Sequence, residues 1–103
     1  MKKVPQVWRQ GDVFLVAVGE FPAGRRESHS LVLAKGEVTG HSHRVEDGEA
    51  SAAMIGDKLF LEVGGTGAIL RHDEHAPITI PCGRYEIRIQ REYAPNEIRR
   101  VVD

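Results

Sequence analysis

The sequence predicts an all-β domain, a small antiparallel barrel or two-sheet sandwich of about eight short strands. Three observations carry that prediction. Eleven glycines and five prolines are spread along the chain rather than clustered, which is the punctuation of many tight turns. The apolar residues fall into short runs rich in Val, Ile, Leu and Phe. Helical periodicity is scarce.

Taken in order, a polar opening leads to a turn at Gln10-Gly11-Asp12. Residues 13–18 then form a continuous apolar run suited to a central strand covered on both faces. Residues 19–26, with Phe21-Pro22 and Gly24, read as a loop, and residues 30–35 as a strand. Gly36-Glu37 turns into a His-x-His segment, and residues 46–48 form an acidic turn. Residues 50–55 and 58–63 are strands separated by Gly56-Asp57. Gly64-Gly65 reads as a hairpin turn joining the second of these to residues 67–72.

Residues 73–77 form a polar connection, residues 78–80 a short strand, and Pro81-Cys82-Gly83 a turn. From Arg84 to Tyr93 the alternation is clean: Tyr85, Ile87, Ile89 and Tyr93 fall on one face, Glu86, Arg88, Gln90 and Glu92 on the other. Pro95-Asn96-Glu97 opens at most one short C-terminal helical turn, with Ile98 and Val101 or Val102 docked.

The 103 residues fit one domain, residues 1–103, with one core. A net charge of −1, from 14 basic and 15 acidic residues, sets up no global field for nucleic acid or an anionic membrane. The basic residues Arg84, Arg88, Arg91, Arg99 and Arg100 are interleaved with Glu86 and Glu92, which reads as a salt-laced solvent face before an RNA-contacting strip. No apolar run is long enough to span a bilayer, and the start of the chain lacks a signal core. The single cysteine, Cys82, excludes an internal disulfide and fits a reducing compartment, so the expected location is cytoplasmic. Cys82 has no basic partner placed by sequence, and reads as an inert thiol.

The residues that carry chemistry are the histidines. His41 and His43 stand two apart, so on a strand their rings share one face at a spacing that suits one divalent cation. A stable site needs three or four donors, and His72 and His75, three residues apart around the Asp73-Glu74 corner, supply a second group. The expected set is His41, His43 and His75, with His72, Glu46 or Glu49 as the fourth ligand. The metal is a divalent transition ion, zinc, iron, manganese or nickel. His72 also continues the alternation of Ala68 and Leu70, which would make it a core-edge histidine bonded to a carbonyl. His29, in a polar loop, reads as a solvated side chain.

Gly36 is followed by four residues, His41-Ser42-His43, five residues, Glu49, six residues and Gly56. This resembles the first motif of the cupin superfamily, small barrels of the double-stranded β-helix type that hold a metal at one end. Pro81-Cys82-Gly83 is similar to the start of the second cupin motif, but Glu86 stands at its histidine position and Gln90 at its asparagine position. The strand phase turns Glu86 away from the Tyr85 face, so the missing donor is sought in His75 or His72.

The resemblance implies a cupin-like fold and a metal site serving an enzyme or a sensor of a small polar ligand. In that role the cation polarises a substrate oxygen or activates water, and Glu46 or Glu49 ligates or moves protons. The competing expectation is a non-catalytic homodimeric assembly module with decorative histidines, and a nucleic-acid accessory role ranks third.

Overall fold

The computed structural model describes residues 6–36 and 40–90. They form β-strands and connections only, with no helix among them. The helical turn expected near Pro95 lies outside the described residues, as do Arg91, Tyr93, Arg99 and Arg100.

Ten strands run in the order β1 (Val7–Gln10), β2 (Val13–Val18), β3 (Arg26–His29), β4 (Val32–Lys35), β5 (Ser42–Glu46), β6 (Glu49–Ile55), β7 (Lys58–Gly64), β8 (Ala68–Arg71), β9 (Ile78–Ile80) and β10 (Gly83–Ile89). They make two open antiparallel sheets rather than a closed barrel, one ordered β1-β2-β10-β7-β6-β3 and the other β4-β5-β8-β9.

A single core fills the space between the sheets. Val13, Leu15, Leu61, Val63, Tyr85 and Ile87 of the larger sheet meet Leu33, Ala34, Val45, Ala68, Leu70 and Ile80 of the smaller one. The strict alternation in β10 places Tyr85 and Ile87 inside and Glu86 and Arg88 outside, as its sequence phase requires. Tyr85 also anchors the corner before its own strand, since its O–H donates to Pro81 O at 2.6 Å and its ring meets Trp8 edge-on.

Several expectations are corrected. Residues 7–10 are a strand, pairing Gln10 with Val13 across the Gly11-Asp12 turn. Residues 26–29 are also a strand, paired with β6 at the sheet edge, so His29 is not in a loop. Neither carries an apolar alternation, because an edge strand with mostly wet side chains needs none. In β2 only Val13 and Leu15 are buried, while Phe14 and Val16 are half-covered. Gly64-Gly65 is not a hairpin: β7 and β8 belong to different sheets, so the turn carries the chain across the sandwich.

Another crossing, from β5 to β6, runs through Asp47 and Gly48. Asp47 takes a positive φ of 56° and pairs with Arg71 at 2.8 Å. A Cβ on Gly48 would collide with Gly67 O, so these two crossings pass one another at a distance only glycine allows. In the loop of residues 19–25, Phe21 packs at a tilt of 56° against Phe60, with ring centroids 5.3 Å apart, and Gly24 lies against Ile55.

Candidate functional site

Three segments meet at one end of the sandwich: the β1–β2 turn, the end of β4 with the start of β5, and the connection after β8. Their residues Asp12, Ala34, Lys35, Gly36, His41, His43, His72, Glu74 and His75 line a pocket of about 160 Å³. The fold thus brings together His41, His43, His72 and His75. Ring centroids are 4.2 Å apart for His43 and His72, 4.6 Å for His72 and His75, 5.7 Å for His41 and His72, and 5.9 Å for His43 and His75.

His43 is the buried member, 5 % exposed, with Gln10 beside it at 2 %. Gln10 Nε2 donates to Leu70 O at 3.0 Å and to Ala76 O at 2.9 Å. That fixes the amide, because the reverse orientation would set its oxygen against two carbonyls. Its Oε1 therefore faces His43 Nδ1 at 2.9 Å and receives the ring's N–H. The lone pair of His43 is left on Nε2, which points at Asp12 Oδ1, 3.4 Å away. Burial, and then the charge of His72, push the His43 pKa down to about 4 against the smaller pull of Asp12. At neutral pH two acceptors thus face each other.

His72 differs. Its Nδ1 accepts the backbone N–H of Glu74 at 3.0 Å and of His75 at 3.2 Å, capping the corner. This replaces the carbonyl partner expected from the sequence. Burial and the neighbouring His75 lower its pKa as well. His41 Nδ1 lies 3.7 Å from Glu74 Oε1. His75 stacks on His43 with 20° between the rings, and both reach the same point above Gly11. A Cβ at Gly11, whose φ is +61°, would stand 2.8 Å from His75 Nε2 and 3.2 Å from His43 Cε1.

The carboxylates at the pocket are Asp12 and Glu74. Glu46 is engaged elsewhere, with Arg44 at 3.1 Å and Arg71 at 3.4 Å. Glu49 lies across from Gly64 with its carboxyl against Gly65, and does not line the pocket. Glu86 pairs with Arg88 on the outer face of the larger sheet. Arg84 pairs with Glu62, which with the Glu86–Arg88 pair makes the salt-laced surface expected for β10. His29 Nδ1–H donates to Ser30 O, apart from the pocket, and Cys82 is exposed in the β9–β10 turn.

Gln10 and Asp12 were not legible as site residues. Gln10-Gly11-Asp12 carries only a turn signal, and nothing local shows that the amide will reach a carbonyl 60 residues away. Asp73 serves the scaffold: its Oδ1 accepts Ser42 N–H at 3.0 Å and binds Arg44 at 3.1 Å, holding the start of β5 to the 72–75 corner. The Ser42 amide first, and Arg44 in addition, depress its pKa.

The pocket gathers four imidazoles and two carboxylates. Among the described residues no three His, Cys, Asp or Glu side chains already converge on one point as an ion would require. The pair His43 Nε2 and Asp12 Oδ1 has the spacing of two donors on one ion. Tetrahedral bonds of about 2.1 Å place neighbouring donors about 3.4 Å apart, which is the separation observed.

No helix among the described residues is long and apolar enough to cross a membrane. No curated protein and no solved structure matches the chain. Residues 9–90, which include every pocket residue, match the family described as a domain of unknown function, DUF8820, and the chain belongs to that family.

Proposed function

We propose that the pocket is a binding site for one divalent transition metal ion, with His43 Nε2, Asp12 Oδ1 and His75 Nε2 as ligands and His41 or Glu74 completing the shell. The observation that carries this reading is the pair of acceptors, His43 Nε2 and Asp12 Oδ1, held 3.4 Å apart with the ring biased against protonation. Two lone pairs at that distance repel unless something positive lies between them. The Gln10 amide disfavours the alternative tautomer, and gives His43 the outer hydrogen bond that metal-bound histidines commonly have.

The remaining donors, on the exposed 72–75 corner and at the start of β5, turn inward to close the shell. His75 already overhangs the same glycine as His43. Mixed nitrogen and oxygen ligands suit zinc, iron, manganese or nickel. The His-x-His at the start of β5, with His41 just before the strand and His43 on it, and donors gathered at one end of a β-sandwich support the cupin-like reading. An ion held with an open position would polarise a bound oxygen or activate water, as an enzyme or a sensor of a small polar ligand requires.

Metal analysis of protein purified without a polyhistidine tag tests this, with zinc, manganese, nickel and iron titrated calorimetrically. One ion per chain in the native protein, and none in the His43→Ala/His75→Ala variant, is the expected result. No uptake of any of the four metals by the native protein refutes the reading.

A second reading, pairing through an edge strand into a homodimer, is favoured by Val7, which is 51 % exposed on edge strand β1. A monomeric mass by light scattering at micromolar concentration removes it.

A further inference from the structure

The pocket histidines differ in where their protons sit. His72 Nδ1 accepts two backbone N–H groups, from Glu74 and His75. Its lone pair is engaged there, so the neutral ring holds its proton on Nε2. Such a ring offers no lone pair to a metal at either nitrogen. His43 is the opposite case, protonated on Nδ1 toward Gln10 and open on Nε2. The two rings lie 4.2 Å apart, and His72 also neighbours both His41 and His75. A donor ring therefore sits among rings that can present acceptors.

We propose that His72 is not a ligand but the pocket's hydrogen-bond donor, whose Nε2–H binds an oxygen of a small monoanionic oxyanion, such as a carboxylate, held on the ion. This rests on the metal site proposed above. The charges lining the pocket agree: Asp12 and Glu74 against Lys35 leave one net negative charge. A divalent cation reverses that to one net positive charge, which a single monoanion neutralises. The volume of about 160 Å³ admits only a small acid, being that of a few waters at about 30 Å³ each.

The discriminating variant is His72→Asn. An asparagine Oδ1 stands where the histidine Nδ1 stands and accepts the same Glu74 and His75 amides in an Asx-type turn, but places no donor where Nε2–H was. Cobalt(II)-loaded native protein and variant are titrated with acetate, read by the visible cobalt spectrum. Long-range proton–nitrogen NMR of the metal-free native protein reads the His72 tautomer.

The expected results are Nε2–H in the native protein and unchanged cobalt stoichiometry in the variant. Acetate should bind the variant about tenfold more weakly, the factor typical of one lost hydrogen bond to a charged acceptor. An Nδ1–H tautomer, loss of cobalt by a folded variant, equal acetate affinities, or no acetate response in the native protein each overturns the proposal. Native protein that takes up no cobalt overturns the metal site itself, and this inference with it.

Discussion

Acidifying the metal-free protein separates the stability carried by His43 from that of every other group. The unfolded ring has a pKa near its ordinary 6.5 and the folded ring one of about 4. Between those values the unfolded chain binds a proton that the native chain refuses, so stability falls as pH falls through this window. Above pH 7 the contribution vanishes. At pH 5 the linkage relation gives a loss of about 2 kcal/mol, rising to about 3 kcal/mol below pH 4.

The comparison is with His43→Gln, whose amide can still donate to Gln10 Oε1 but does not titrate in this range. Urea unfolding in the presence of EDTA at pH 7.5, 6, 5.5 and 5 should show the native protein losing about 2 kcal/mol more than the variant by pH 5, or roughly 10 °C in Tm. Carboxylates away from the pocket titrate alike in both proteins and cancel in the difference. Parallel curves refute the account of a buried, neutral His43. A native protein that gains on the variant as pH falls would mean that Asp12 outweighs burial and that the pair is a salt bridge.

Gly11→Ala should destabilise by about 1–2 kcal/mol, because its φ of +61° disfavours a side chain. It should also weaken metal binding at least tenfold, since the methyl enters the space of His75 Nε2; urea denaturation checks the first and calorimetric zinc titration the second. Gln10→Leu strips partners from Leu70 O, Ala76 O and His43 Nδ1–H, with an expected cost of about 2–4 kcal/mol by urea denaturation. Gly48→Ala should cost about 3 kcal/mol, because the contact it creates is with backbone at Gly67 and Ala68, which cannot rotate away. Arg88→Ala, which breaks a two-pronged pair between an exposed arginine and the largely covered Glu86, should cost about 0.5–1 kcal/mol by urea denaturation.

The sequence made the strand-rich class and the four histidines legible for a physical reason. Alternation in β10 is a local consequence of the pleat and survives whatever the chain does elsewhere, whereas of the two spaced histidines only His43 lies on β5 and His41 stands just before it. What it could not show depends on long-range closure. Arg26–His29 has no apolar face to betray a strand, and is one because β6 offers it a ladder. Gly64-Gly65 carries the same dipeptide signal whether the next strand pairs back or crosses to the other sheet.

The site followed the same division. Its histidines announced themselves, whereas Asp12 enters the pocket only because the β1–β2 turn lies over the start of β5. Glu46 and Glu49 lay nearer to His43 in sequence. Pleat and crossover took them away, the first to Arg44 and Arg71 and the second to Gly64 and Gly65.

The central claim is that one ion sits between β5 and the β1–β2 turn. Crystals of the untagged protein grown with zinc, measured on both sides of the zinc absorption edge, test it most directly. The account predicts one anomalous peak per chain, about 2.1 Å from both His43 Nε2 and Asp12 Oδ1. A zinc peak elsewhere, or none with His43 Nε2 still 3.4 Å from a bare Asp12 Oδ1, would contradict it.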